Sequence, residues 1–366
     1  MKQPLILKHA DVLPAILPPL LDWYKHHAAD RQLPWRENPA PYHVWVSEIM
    51  LQQTRASAVI PYYERFLSVL PDIAALAHAD DEMLMKLWQG LGYYSRARNL
   101  KKAAQKVLAE YDGELPQDYK ALLALPGIGR YTAGAIGSIA WGRPWPAIDG
   151  NVLRVTFRVM ACREDILAAR TRTALEKALS PLYPAGRDAA DLNQAFMDLG
   201  ASVCLPNGKP HCSRCPLSRL CLAHAEGREQ DFPVKAAAKA RRIEEKTILL
   251  LKQGSAYAIR QRPKQGLLAG LWEFPNLPGR LTAKEVRAYL QTRGLAVQKI
   301  RPLPPARHIF SHVEWHLSGW EVLLEEDAVC VGETLDFLHW VTLPELVSKY
   351  SIPAAFSYYF PHSGTI

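Results

Sequence analysis

The sequence contains no apolar run close to the ~20 residues that a membrane-spanning helix requires, which excludes a membrane-embedded protein. The first apolar stretch, Leu5 to Leu21, is interrupted by Lys8, Asp11 and three prolines, which excludes a secretory signal peptide. Internal repeats and low-complexity tracts are absent as well. We therefore expect a bacterial-type protein of the cytoplasm that makes no contact with a membrane.

The length and composition indicate a globular protein with more than one domain. A chain of 366 residues exceeds the size of one ordinary hydrophobic core, so two domains are expected. Hydrophobic residues make up 49% and charged residues 22%, a balance that excludes wholesale disorder. The formal net charge of +8 is compatible with a polyanionic partner and equally with ordinary surface charge.

The six cysteines are distributed unevenly. Cys162 and Cys330 stand alone, whereas four others lie within eighteen residues: Cys204, Cys212, Cys215 and Cys221. A secreted disulfide framework would usually spread its pairs along the chain. Thiols this close together indicate a metal site in a reduced compartment, and they suit either zinc or an iron–sulfur cluster.

Residues 1–225 form a first lobe, in which apolar residues recur at helical spacing and alternating, strand-like segments are few. Prolines and glycines mark short turns between the helices. The pattern predicts an all-α lobe with helices at Trp45–Ala58, Tyr94–Glu110, Gln117–Leu123, Arg130–Ala140, Val152–Met160, Arg172–Leu179 and Ala189–Val203.

Residues 226–243 are charged and rich in alanine, which predicts a linker, and residues 244–366 form a second lobe of α+β type. One helix is well marked at Thr282–Gln291, because Thr282 and Glu285 form a Thr-x-x-Glu capping box. Strands are predicted at Lys246–Lys252, Ala256–Arg260, Leu271–Phe274, Ile309–Val313, Trp315–Leu324 and His339–Val341.

A glycine-rich turn, LPGIGRYTAGA (Leu125–Ala135), follows one short helical pattern and opens another. Gly127 and Gly129 allow a tight turn that exposes backbone N–H groups at a helix N-terminus, where a phosphate can bind. A plain hairpin of two helices is the alternative.

The segment AIDGNVLRV places Asp149 immediately before an apolar-periodic helix, about twenty residues after the glycine turn. Taken alone, this aspartate is best explained as the N-cap of that helix.

Several motifs together resemble those of adenine DNA glycosylases of the MutY type, within the helix–hairpin–helix, endonuclease III superfamily. The glycine turn and Asp149 match its hairpin and downstream aspartate, and the four cysteines are similar to its [4Fe–4S] loop, with a first gap of seven residues where six is usual. Two further stretches match closely, LPWRENPAPYHVWVSEIMLQQTRASAVIPYYERF (Leu33–Phe66) and WQGLGYYSRARNL (Trp88–Leu100). The resemblance implies one [4Fe–4S] cluster held by Cys204, Cys212, Cys215 and Cys221.

The resemblance marks two carboxylates, Glu48 and Asp149, as catalytic. Breaking an N-glycosidic bond requires an acid that protonates the leaving base and a group that stabilises an oxocarbenium-like sugar. Glu48 lies among Trp45, Ile49 and Met50, surroundings that raise the pKa of a carboxyl and let it donate a proton near neutrality. Asp149 would remain ionised; a salt-bridged Glu48 is the alternative.

The resemblance also implies roles for further residues that match the motifs of the family. Tyr131 occupies the hairpin position where lyases of the superfamily carry a lysine nucleophile, so the resemblance implies a monofunctional enzyme with Tyr131 beside the reaction centre. Asn151 would hold water or the sugar, or serve as a helix-start cap. Gln53 and Tyr93 match positions that wedge into the duplex, and the adenine pocket would be lined by Arg31, Trp35, Leu51, Gln194 and Met197.

The second lobe resembles the Nudix-like C-terminal domain of MutY proteins at RPKQGLLAGLWEFPNLPG and RHIFSHVEWHLSGW. No glutamate cluster of the hydrolytic Nudix signature follows Gly279, which argues against nucleotide pyrophosphatase activity in this lobe. Phe310, Ser311 and His312 match the loop that contacts 8-oxoguanine, although an ordinary strand-end turn is the alternative.

These motifs predict a monomeric base-excision repair enzyme that binds double-stranded DNA and removes adenine opposite 8-oxoguanine or guanine. An endonuclease III-like glycosylase and lyase for oxidised pyrimidines is disfavoured by Tyr131 and by the second lobe. A catalytically silent DNA-damage binding module is disfavoured because Glu48 and Asp149 are both present. A Nudix hydrolase is disfavoured by the missing glutamates.

Overall fold

The computed structural model describes residues 5–237, 240–325 and 338–361, which divide into two compact units. The first unit comprises the described residues up to Ala79 together with Arg98–Ala237. The second comprises Asp80–Ala97 and the described residues from 240 onward. None of the described helices is long and apolar enough to cross a lipid bilayer.

The described part of the chain up to residue 237 contains helices and no strands, so the predicted all-α architecture is confirmed. The helices are α1 Leu13–His27, α2 Pro34–Glu37, α3 Pro41–Leu51, α4 Ala56–Val69, α5 Ile73–His78, α6 Asp81–Trp88, α7 Ser95–Glu110, α8 Tyr119–Leu123, α9 Arg130–Trp141, α10 Gly150–Val159, α11 Ala169–Leu179, α12 Arg187–Ser202 and α13 Leu222–Ala225.

The single helix predicted at Trp45–Ala58 is wrong, because the chain turns at residues 52–55 between α3 and α4. Gln53 occupies this turn with φ of 57°, a left-handed conformation that ends a helix. The apolar periodicity continues through the turn and hides it in the sequence. The break places Gln53, one of the two predicted wedge residues, at an exposed corner.

The core of the first unit forms where α1, α10 and α12 pack together. Its largest side chains, Phe157 and Phe196, are fully buried, and Ile16 and Leu20 of α1 pack on them. Burying one such side chain contributes about 1.5–3 kcal/mol. This packing fixes α10, which Asp149 caps at its N-terminus, and α12, which carries Gln194 near its middle.

The second unit contains a mixed sheet, which confirms the predicted α+β class. Its strands are β1 Arg242–Gln253, β2 Ala256–Gln261, β3 Trp272–Glu273, β4 Asn276–Pro278, β5 Val297–Ile309, β6 Val313–Leu324 and β7 Leu338–Thr342. The order is β3-β2-β1-β6-β5, with β1 and β6 parallel, β4 beside β1 and β7 beside β2. The unit also holds α14 Ala283–Gln291 and α15 Leu343–Ser348, and both begin with a capping box.

The strand predicted at Ile309–Val313 is wrong in its bounds, and most of β5 was missed. Residues 310–312 form a turn, whereas β5 runs through Pro302, Pro304 and Pro305. Prolines cannot donate to a ladder and therefore argue against a strand in the sequence. β5 tolerates them because it is an edge strand, with a register shift between Leu303 and Ala306.

Candidate active site

A cavity of about 300 Å³ in the first unit gathers the predicted catalytic and pocket residues. They come from α2, α3, α9, α10 and α12 and the loop before α2, and so from positions far apart in the sequence. The cavity is lined by Arg31, Trp35, Glu48, Leu51, Tyr131, Asp149, Asn151, Gln194 and Met197, among others. Gln53 and Tyr93 do not line it.

Glu48 is buried on α3, with 3% of its surface exposed. Tyr131 of α9 donates a hydrogen bond from its hydroxyl to Glu48 Oε2 at 2.5 Å. Burial raises the pKa of Glu48 to about 7; the Tyr131 hydrogen bond opposes this rise and the nearby charge of Asp149 adds to it. A carboxyl with this pKa is partly protonated at neutral pH, as a general acid requires.

Asp149 is held in place by three hydrogen bonds, so the N-cap and the catalytic interpretations are compatible. Its Oδ1 accepts the backbone N–H groups of Asn151 and Val152, each at 2.8 Å, and its Oδ2 accepts the Asn151 amide at 2.7 Å. Burial raises the pKa of Asp149, and these donors together with Arg154 counteract that rise. Donors directed at a carboxylate favour its charged form.

The chain before Asp149 is fixed by a fully buried amide, Asn193 of α12. Asn193 Oδ1 accepts the Ala147 N–H at 2.9 Å and the Tyr183 hydroxyl at 2.7 Å. Its Nδ2 donates to Ser138 Oγ at 2.6 Å and to the Trp145 carbonyl at 3.0 Å. A buried amide with this many partners holds one geometry, which positions Asp149.

The buried Glu48 is expected to cost stability. Its pKa in the folded chain is about 7, above the ordinary value of 4.5, so Glu48 ionises more readily in the unfolded chain. The free energy of unfolding should therefore fall as the pH rises between these two values. Glu48→Gln should therefore stabilise the first unit by on the order of 3 kcal/mol at about pH 8 and by little near pH 4. Urea midpoints of the helical circular-dichroism signal at both pH values measure this. An equal effect at the two pH values would contradict the assigned cause.

Asp198 is a site residue that sequence reasoning missed. This carboxylate is 3% exposed, pairs with Arg31, and accepts Arg36 through two bonds of 2.8 and 2.9 Å. It therefore fixes two of the three arginines that line the cavity, Arg31 and Arg36. Its spacing in the sequence could have indicated this position. Asp198 lies one helical turn after Gln194 on α12, and residues four apart share one face of a helix.

Arg154 was also missed, although it joins Asn151 to the cysteine loop. It donates to Asn151 Oδ1 at 2.8 Å and to the Cys204 and Gly200 carbonyls, both at 2.7 Å. A side chain at Gly200 would come within 2.6 Å of the Asn151 Cβ, so only glycine fits there. The end of α12 and the cysteine loop thus position Asn151 from behind.

The glycine turn forms part of a neighbouring groove of about 710 Å³. Gly127 has φ of 79° and a Cβ there would lie 2.9 Å from the Asn99 Cβ, whereas Gly129 has open space around it and caps α9. Gln53 lines the same groove, which shares Tyr131 and Asp149 with the cavity. The groove thus connects the exposed hairpin to the predicted catalytic residues.

The four clustered cysteines are free thiols that line one small cavity. Burial raises the pKa of Cys212 to about 11 and of Cys215 to about 12, so a bound cationic centre is needed to hold them as thiolates. Arg158 Nη1 donates to Cys204 Sγ at 3.2 Å, a charge that suits an anionic cluster. This donor set fits a thiolate-held metal centre.

In the second unit, the turn of residues 310–312 is held at both ends. Arg241 Nε donates to the Phe310 carbonyl at 3.1 Å, and the backbone N–H of Arg242 donates to the His312 carbonyl at the same distance. The Phe310 ring packs edge-on against Trp315, with ring centroids 4.9 Å apart. Ser311 and His312 are exposed.

Tyr93 belongs to the second unit, as do the predicted site residues of the 310–312 turn. It is 46% exposed, has φ of 47°, and places its hydroxyl 3.0 Å from Ser311 Oγ. Gln53 and Tyr93, the two predicted wedge residues, thus share a left-handed backbone that is rare for their residue types. Such strain is often found at functional positions.

Two family models match the chain. Residues 46–181 match the HhH-GPD superfamily of base excision DNA repair proteins, and residues 247–361 match the NUDIX domain. Among solved structures, a thermostable thymine-DNA glycosylase is 28% identical with a TM-score of 0.51, and an endonuclease III–DNA complex is 25% identical with a TM-score of 0.50. Each similarity covers 59% of this chain and 98% of the other.

Closer relatives cover most of the chain. The adenine DNA glycosylase of Rattus norvegicus is 35% identical over 89% of this chain and 73% of its own length. That of Buchnera aphidicola subsp. Acyrthosiphon pisum is 32% identical over 82% of this chain and 84% of its own length. The chain therefore belongs to the adenine DNA glycosylase family, with a helical base-excision domain followed by a Nudix-like domain.

Proposed function

We propose that the protein removes adenine paired with 8-oxoguanine or guanine in double-stranded DNA, leaving an abasic site. Adenine excision follows from the family, and the pairing partner is the part that is proposed. The observation that carries the mechanism is the cavity where a carboxyl of pKa about 7 and a hydrogen-bonded aspartate meet.

Glu48 and Asp149 divide the chemistry between them. Glu48 gives its proton to adenine N7, which allows the C1′–N9 bond to break with its electron pair leaving on adenine. Asp149, stabilised as an anion by Asn151 and Val152, balances the positive charge that develops on the sugar. Water then attacks C1′ and gives its proton to the Glu48 carboxylate, which restores the starting state.

The cavity suits one extruded base. Its volume of about 300 Å³ lies at the lower end of the range for small-molecule sites. Gln194 Oε1 accepts the Tyr24 hydroxyl at 3.1 Å, which leaves the Gln194 NH2 group to donate to an acceptor nitrogen of adenine. Trp35, Leu51 and Met197 supply the apolar surface on which the base stacks.

The DNA-binding surface includes the groove that holds the glycine turn. Backbone N–H groups at the start of α9 and the exposed Arg130 offer sites for phosphate oxygens. Gln53 in that groove fills the space that the extruded base leaves, and Tyr93, exposed on the second unit, stays a predicted wedge residue. We place this activity in the cytoplasm, carried out by a monomer.

The position of Tyr131 predicts an enzyme without lyase activity. The hydroxyl bonds to Glu48, and a phenol cannot form the Schiff base that β-elimination requires. Treatment of the reaction with borohydride should therefore trap no covalent protein–DNA adduct, whereas an endonuclease III-like lyase, run in parallel, traps one. A stoichiometric adduct would support the glycosylase–lyase alternative instead.

The 310–312 turn is proposed to read 8-oxoguanine. Ser311 supports this role because its hydroxyl is exposed and already within hydrogen-bond distance of Tyr93. Ser311→Ala should reduce the preference for 8-oxoguanine over guanine by about fivefold, the value of one hydrogen bond of roughly 1 kcal/mol. Excision rates on the two duplexes, compared with Ser357→Ala as the control, measure this. Equal losses on both duplexes would remove the turn from recognition.

The four clustered cysteines are proposed to hold one [4Fe–4S] cluster. Support comes from the four free thiols around one cavity and from the Arg158 guanidinium beside Cys204. A bound cluster would make the loop more rigid. Arg154 donates hydrogen bonds both to the Cys204 carbonyl of that loop and to Asn151, so a rigid loop would also help to position Asn151.

A further inference from the structure

The four cysteines of the loop differ in the residues that surround them. Cys204, Cys215 and Cys221 pack against the apolar core of the first unit. Cys212 does not belong to that packing among the described residues, and His224 and Glu229 line the cavity with it. Cys212 therefore lies at the polar edge of the cavity, whereas the other three cysteines pack on the apolar core and Cys204 alone of these also accepts a hydrogen bond from Arg158.

The donor atoms of Cys212, His224 and Glu229 converge. One thiol sulfur, one ring nitrogen and one carboxylate oxygen all lie within 4.8 Å of one another. His224 Nδ1 lies 2.5 Å from Glu229 Oε1, a contact that an ordinary ion pair explains. The Cys212 thiol also hydrogen-bonds to Glu229, so the three groups are held together by protons that a bound metal ion would replace.

Arg158 helps to fix the position of these three residues. Arg158 Nε donates to the Glu229 carbonyl at 2.9 Å, and the same side chain contacts Cys204 Sγ. The side chain of Glu229 is only 16% exposed, against 41% for His224. The carboxylate is therefore positioned within the cavity wall, while the imidazole can adjust toward an incoming ion.

A thiolate, an imidazole and a carboxylate are the ligand types that zinc takes in proteins. Three protein ligands suffice when water or one further thiolate completes a tetrahedron. We propose that Cys212, His224 and Glu229 form a second metal site, which binds a single Zn²⁺ in chains that lack the cluster. Because both centres need Cys212, the zinc ion and the cluster exclude each other.

The test uses the full-length chain from iron-limited cells, kept reduced and titrated first with Co²⁺ and then with Zn²⁺. We expect one Co²⁺ per chain, displaced by Zn²⁺, with a near-ultraviolet thiolate-to-cobalt band of the intensity that one or two thiolates give. His224→Gln and Glu229→Gln should each weaken Co²⁺ binding by about tenfold or more. His211→Gln, a change at an exposed histidine of the same loop, should not.

Two results would overturn the proposal. One is a band of four-thiolate intensity, lost in Cys215→Ser and unchanged in His224→Gln, which would place the ion among the four cysteines. The other is tight Co²⁺ binding in both His224→Gln and Glu229→Gln. Should one variant fail to fold by circular dichroism, the other variant and the band intensity of the unmodified chain decide the question. Iron and sulfide in chains from iron-replete cells are measured separately, so failure of this site leaves the cluster assignment intact.

Discussion

Asp149→Asn should slow adenine release by about 10³-fold, the size of effect seen when a group that stabilises transition-state charge is removed. Asparagine is as good an N-cap as aspartate, so α10 should still form, with its side-chain oxygen accepting the Asn151 and Val152 N–H groups. What is lost is the negative charge beside the sugar, together with the acceptor for the Asn151 amide.

Single-turnover rates on a duplex with adenine opposite 8-oxoguanine measure this effect, and fluorescence anisotropy measures binding, which should change little. Asp72→Asn is the matched control, because Asp72 caps α5 through the Ala75 N–H and does not line the cavity. A near-normal rate in Asp149→Asn would remove this carboxylate from the mechanism and leave it only the N-cap role.

Glu48→Gln should lower the rate by roughly 10²–10⁴-fold, because it removes the proton donor. The wild-type rate should be constant below about pH 7 and fall as the pH rises further, since burial places the pKa of Glu48 near 7 and only the protonated form can donate. The residual rate of Glu48→Gln should lack this fall. Rates measured across the pH range with a saturating enzyme concentration test this.

Tyr131→Phe provides the internal control for that assignment. The Tyr131 hydroxyl stabilises the Glu48 carboxylate and so lowers the pKa of Glu48. Its removal should raise this pKa and move the fall in rate to higher pH. If the wild-type profile is flat through neutrality, or if Tyr131→Phe moves the fall to lower pH, Glu48 is not the acid.

The fold class followed from the sequence, because apolar spacing is a local signal that survives packing. The pattern predicted α7 and α14 nearly residue for residue, and the capping box at Thr282 is present. It failed where tertiary context overrides local rules. α1 contains Pro18 and Pro19, yet its buried face holds it on the core, and β5 keeps three prolines because an edge strand can spare their N–H groups.

The composition of the site could be predicted only in part. Motifs placed Glu48, Tyr131, Asp149 and Asn151 together, and the cavity indeed gathers them. Their roles remain predictions, as do the domain limits at 225 and 244. The residues that hold the site, such as Asn193, lie far from it in sequence, and single-chain patterns give no signal for a hydrogen bond between distant segments.

The central claim is that this chain hydrolyses the adenine N-glycosidic bond opposite 8-oxoguanine without cutting the backbone. The most direct measurement compares a strand-labelled duplex carrying adenine opposite 8-oxoguanine with one carrying thymine glycol, each read with and without alkali. We predict cleavage of the adenine strand alone, and only after alkali. Cleavage of the thymine-glycol strand, or a nick at adenine without alkali, would contradict the claim.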